Sequence, residues 1–142
     1  MKDISGADGK YGVTPLRSWF YTPMTDGSIN VAVDEWTIAN NTYGNITKWN
    51  TSRVTDMSGL FQDASGFDED ISDWNVSNVT NMSYMFDGAS TFNKPIGNWN
   101  VSKVTNMNYM FRDTSFNQSL DTWDIGSLVT AEGMFTNSAI YE

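Results

Sequence analysis

At 142 residues the chain is one ordinary domain, long enough to bury a continuous core. A formal charge of −9 with only 8 Lys and Arg argues against nucleic-acid binding, which needs cations to neutralise phosphates, and disfavours anionic membrane surfaces. The chain has no Cys, hence no disulfide framework and no thiolate zinc site; it has no His either, hence neither the usual general base near neutral pH nor the commonest metal ligand.

Residues 1–27 form a non-repeating N-terminal arm, rich in Gly and turn residues, with Pro15, Pro23 and an aromatic cluster at Trp19, Phe20 and Tyr21. Met1-Lys2-Asp3-Ile4-Ser5-Gly6 has no apolar core of a secretory signal, and no apolar run approaches the roughly 18–20 residues that span a bilayer. Residues 28–44 read as a capping helix and turn. Ser28 is a candidate N-cap, and Ile29, Ala32, Val33 and Trp36 make one apolar stripe at i, i+3, i+4 and i+7. Asn40-Asn41-Thr42-Tyr43-Gly44 then breaks the helix.

Residues 45–135 repeat, and a tail of residues 136–142 follows. Trp49, Trp74, Trp99 and Trp123 are separated by 25, 25 and 24 residues, and their surroundings repeat with them. The copies read W-N-T-S-R-V-T-D-M-S-G-L-F, W-N-V-S-N-V-T-N-M-S-Y-M-F, W-N-V-S-K-V-T-N-M-N-Y-M-F and W-D-I-G-S-L-V-T-A-E-G-M-F. Self-similarity at this period signals units that bury their apolar sides against their neighbours. Ile71-x-x-Trp74-x-Val76 has the spacing of a leucine-rich-repeat strand, with Ile96-x-x-Trp99-x-Val101 and Leu120-x-x-Trp123-x-Ile125 as copies and Ile46-x-x-Trp49-x-Thr51 as a degraded first one. Val79, Met82, Met85 and Phe86 then suit a short helical or 3-10 turn capped by Thr80, and Phe67, Phe92 and Phe116 return inward. The 24-residue interval is a one-residue deletion between Phe111 and Phe116. The resulting expectation is an α/β repeat: a right-handed leucine-rich-repeat-like solenoid of about 3.5 coils with an N-terminal helical cap.

The segment Trp74 to Phe86 and its copies closely resemble the BspA-like leucine-rich-repeat surface protein family, first noted in mycoplasma lipoproteins, over about residues 28–135. The resemblance implies a surface-displayed, extracellular recognition or adhesion module with a leucine-rich-repeat-like fold and no catalytic residues. Repeats of this kind also look common in large viruses and phages, where a protein without its own signal reaches the exterior on a particle.

Strand alternation turns Lys48, Asp73, Asn98 and Thr122 away from the core, and because the repeat does not fix their identity they are the candidate ligand contacts. The rows Asn50/Asn75/Asn100 and Ser52/Ser77/Ser102 are expected to be hydrogen-bonded ladders between coils. Asp68-Glu69-Asp70 reads as a solvated loop, since a Ca²⁺ site needs six or more converging oxygens. The pairs Met82/Met85 and Met107/Met110 read as core. No phosphate loop, dinucleotide fingerprint or nucleophile elbow occurs, so no enzyme, cofactor or metal is expected. The partner is expected to be a protein or glycan, or else neighbouring subunits of a larger assembly such as a virion. In that second case the chain is a structural subunit, oligomeric or particle-bound, docked through the C-terminal edge and the arm residues Trp19, Phe20 and Tyr21; the alternative for residues 1–27 is that they fold back and cap the chain's own repeats.

Overall fold

A computed structural model describes residues 23–39 and 44–141; the candidate assembly residues Trp19, Phe20 and Tyr21 lie outside them, as does the side chain of Trp36. The first element is α1 (Asp26–Ala39). Its N-cap is Thr25 rather than Ser28. The Ser28 N–H donates to Thr25 Oγ1 at 3.2 Å and the Thr25 N–H donates to Ser28 Oγ at 2.9 Å, a reciprocal capping box. Ile29, Ala32 and Val33 are buried, as the apolar stripe requires.

Residues 24–26 dock α1 onto the first repeat by standing in for a preceding one. The N–H groups of Thr80, Thr105 and Val129 each donate to a carbonyl one repeat back, Thr55, Thr80 and Thr105 respectively, all at 2.8 Å. Thr55 heads this row, and the Asp26 carboxylate accepts from its N–H at 2.7 Å, from its hydroxyl at 2.8 Å and from the Asp56 N–H at 3.1 Å. Met24 N–H likewise donates to Asn50 O at 2.9 Å.

The repeats stack in register. Met57, Gly59, Phe61 and Asp63 donate to the carbonyls of Asn81, Ser83, Met85 and Asp87 at 2.7–2.9 Å, and the pattern recurs at both later junctions. Phe61, Phe86, Phe111 and Phe135 form one aromatic column with centroids 5.6–5.7 Å apart and planes within 7°. Each Trp indole reaches back to the preceding repeat, Trp74 to Ile46 O, Trp99 to Ile71 O and Trp123 to Ile96 O, at 2.8–3.1 Å. The paired Met residues are buried within this core. Deleting one residue after Phe111 leaves the Phe111–Phe116 contact at 4.2 Å, against 4.1 Å for Phe86–Phe92. Buried Thr114 closes the shortened loop, donating to Phe111 O at 2.7 Å and accepting from the Phe116 N–H. Stacking continues past residue 135: Ser138 is buried and donates to Phe116 O at 3.1 Å, ahead of a 3-10 helix at Ala139–Tyr141.

The expected α/β leucine-rich-repeat-like solenoid is not what these repeats build. Among the described residues there is one α-helix, two 3-10 helices and no β-strand, hence no sheet; pairing is limited to the isolated parallel bridges Asp56–Asn81, Asn81–Asn106 and Asn106–Thr130. The physical reason is local. Trp74 N–H bonds to Ile71 O, Val79 to Val76 O and Met85 to Met82 O, so i→i+3 turns consume groups that a strand ladder would need. The expected helical turn after Val79 is likewise a run of turns, and Thr80 caps nothing; its hydroxyl donates to Thr55 O at 3.3 Å.

Candidate recognition face

The Asn, Asp and Ser residues of the repeat build its corners. Asn50, Asn75 and Asn100 accept from the N–H two residues on, at Ser52, Ser77 and Ser102, at 2.9–3.1 Å, and Asp124 does the same for Gly126. The expected Asn and Ser ladders between coils are therefore Asx turns within each coil. Asp56, Asn81 and Asn106 close a second set, at Ser58, Ser83 and Asn108. A third is closed by Asn45 and Asp70, at Thr47 and Ser72, and by the Ser119 hydroxyl at Asp121. Pro95 occupies that third row between Asp70 and Ser119 and offers no side-chain acceptor.

The four candidate contacts sit beside this third row. Lys48 ends the 3-10 helix Ile46–Lys48, while Asp73, Asn98 and Thr122 are each the second residue of the turn before a Trp; all four are exposed. Asn98 Nδ2 donates to Ser72 O at 3.2 Å and Thr122 Oγ1 to Gly97 O at 2.8 Å, so two of the four also tie repeats together.

An open groove of about 390 Å³ lies here, lined by Ser72, Pro95, Gly97, Asn98, Gln118 and Ser119. Gly97 permits it: a Cβ at that position would stand 2.8 Å from the Ser119 carbonyl oxygen, against backbone that cannot swing aside. Asn98 lines the groove, Asp73 follows lining Ser72, and Thr122 bonds lining Gly97. Lys48, a repeat earlier, does not join them. The sequence reading missed Gln118, whose Nε2 donates to Asn93 O and Oδ1 at 3.2 and 3.1 Å.

A second polar cluster escaped the sequence reading as well. Tyr84 and Tyr109 stack with centroids 5.2 Å apart, and the Arg112 guanidinium lies 4.5 Å from the Tyr109 centroid. Both tyrosines have left-handed backbone (φ 60° and 57°) in a row whose other members are Gly59 and Gly133. Arg112 forks onto buried Asp87 at 2.9 and 2.8 Å, and Gln62 Nε2 donates to the same carboxylate at 3.1 Å. The Arg112 hydrogen bonds hold the Asp87 carboxyl below its ordinary range, against its burial. With Nε and Nη2 both bonded to Asp87, this cluster reads as a structural brace between repeats.

Within the acidic run, Asp68 accepts from the Asn93 N–H at 3.0 Å and faces Lys94 Nζ at 3.7 Å, while Asp70 closes its Asx turn. Among the described residues no group of three His, Cys, Asp or Glu converges as a metal site would, and no helix is long and apolar enough to cross a membrane.

A family model described as "Mycoplasma protein of unknown function, DUF285" matches residues 27–142, from the start of α1 through every repeat. No curated protein and no solved structure matches the chain.

Proposed function

Because the chain belongs to the DUF285 family of mycoplasma proteins, whose function is unknown, we propose a role that rests on its own surface: a non-enzymatic recognition module displayed at a cell or particle exterior. Its contact face is the row Lys48, Asp73, Asn98 and Thr122 with the groove beside Asn98. The observation that carries this reading is the groove itself. Where the Ser119 carbonyl closes on Gly97, the surface beside Asn98 of the exposed variable row is concave. Stacked rigid turns suit such a role, because contacts held on a fixed frame lose little freedom on binding.

The test is adhesion. Beads coated with the protein should bind cultured epithelial cells, and the quadruple variant Lys48→Ala, Asp73→Ala, Asn98→Ala, Thr122→Ala should reduce bound beads at least about tenfold, the loss of one good contact at about 1.4 kcal/mol. Binding by a folded quadruple variant within about twofold of the parent would remove this face from the role.

One observation favours a second reading, a structural subunit of a larger assembly. Ile125 is 54% exposed and Val129 81%, whereas Val76 and Val101, which share the row of Ile125, are 1% exposed. An apolar edge of this kind marks a contact surface. If it serves assembly, the paired change Ile125→Ser, Val129→Thr should shift sedimentation from an associated to a monomeric species. A monomeric parent chain would dispose of self-assembly through this edge.

A further inference from the structure

We infer that the groove beside Asn98 takes an uncharged oligosaccharide, an assignment that rests on the recognition reading above and names its ligand class. The lining carries two amides, Asn98 and Gln118, two hydroxyls, Ser72 and Ser119, and one exposed proline ring, with no charged side chain among them. Sugar hydroxyls are satisfied by fixed amide and hydroxyl groups, while the C–H face of a pyranose packs on a small apolar surface such as Pro95.

The amides are held before any ligand arrives. Asn98 Nδ2 is bonded to Ser72 O, and Gln118 Nε2 to Asn93 O and Oδ1. Each amide thereby keeps a carbonyl oxygen to accept from a sugar hydroxyl without a further loss of side-chain freedom. The volume of about 390 Å³ lies at the small end of ligand sites, and its open form suits one or two sugar rings with the rest of the chain in solvent.

Charge selects within the sugars. At a net −9, with Asp73 and Asp121 beside the lining residues and the neighbouring Lys94 facing Asp68 at 3.7 Å, sialylated and sulfated glycans are repelled and neutral ones are not. Peptides are disfavoured for a different reason. Strand addition needs a sheet edge with unused N–H and C=O groups, and the described residues contain no sheet.

The experiment is a titration of the isotope-labelled full chain, followed by NMR, with neutral trisaccharides of gluco, galacto, manno and N-acetylglucosamine configuration. Sialyllactose and a proline-containing hexapeptide complete the panel. At least one neutral trisaccharide should shift the amide signals of Gly97, Asn98, Gln118 and Ser119 saturably, with sialyllactose binding at least about tenfold more weakly. Gln118→Ala should weaken the neutral sugar by about tenfold, the loss of one hydrogen bond near 1.4 kcal/mol. Should that variant misfold, the map on the parent chain decides alone. No shift with any neutral sugar, equal binding of sialyllactose, or stronger groove shifts with the hexapeptide would each overturn the assignment. If adhesion is lost in the quadruple variant yet no sugar binds, the ligand class falls and recognition stands; if adhesion also survives, both fall.

Discussion

Trp99→Ala should lower stability by about 3–5 kcal/mol, the range for emptying a buried aromatic site. Trp99 is 4% exposed, its ring lies 6.4 Å from Phe86, and its indole N–H donates to Ile71 O at 3.1 Å, so the substitution removes packing and an inter-repeat hydrogen bond together. Because Trp99 sits between two full repeats, the cavity would open at the centre of the stack, where neighbours above and below are held in register and can collapse little. A loss of that size is a large fraction of the roughly 5–15 kcal/mol that stabilises an ordinary domain. Asn98, one residue earlier and exposed, gives the control. Asn98→Ala removes only the surface bond to Ser72 O and should cost about 0.5–1 kcal/mol. Urea midpoints measure both, with the slope held constant. Equal midpoints would mean that the column of indoles is not what joins the repeats.

The inward residues were legible because the period of 25 and their apolar character agree: Trp74, Val76, Val79, Met82, Met85, Phe86 and Phe92 are all buried as read. The backbone that carries them was misread for a physical reason. Val76, Val79, Met82 and Met85 recur every third residue, and one residue on, Phe86, Ala89 and Phe92 begin a second series at that interval. Strands bury every second residue and helices follow 3.6, so a strict spacing of three is the mark of successive i→i+3 turns. The Asn-x-Ser and Asp-x-Ser triplets said the same thing, since an Asx turn is what those residues make best. Exposure of the row Lys48, Asp73, Asn98 and Thr122 was legible, because each precedes a buried residue at a fixed offset. The groove was not. It depends on the approach of Ser119 to Gly97, which no local pattern encodes. The left-handed backbone of Tyr84 and Tyr109 had a faint signal, in that the first and last copies carry Gly at the same place.

Asp26→Ala should cost about 2 kcal/mol, more than a surface carboxylate ordinarily contributes, because this one replaces an entire missing row partner. Of its three hydrogen bonds, the one from the Thr55 N–H satisfies a donor that every later repeat directs at a neighbour's carbonyl, and bonds to a charged acceptor contribute about 1.5–3 kcal/mol each before partial exposure reduces them. The same carboxylate lies in the first turn of α1, where negative charge is favoured. Burial acts to raise the Asp26 carboxyl, and the bonds from Thr55 and Asp56 outweigh it, leaving it below its ordinary 3.8. A carboxyl held low in the folded chain adds stability that is fully present above its unfolded value and is lost as pH falls through its folded value. The gap between parent and Asp26→Ala should therefore be full at pH 6–7 and shrink below about pH 4. Asp87, held low by Arg112, and Asp70, held low by its bonds to Ser72, weaken over the same acid range in both proteins, so only the difference between the two curves reports Asp26. Asp26→Asn separates charge from geometry: the amide oxygen can still accept from the Thr55 N–H, so part of the stability should return with little dependence on pH. Parallel pH curves for the parent and Asp26→Ala would show that the ionised carboxylate is not what fastens α1 to the first repeat, leaving that role to the buried contacts of Met24, Ile29 and Val33.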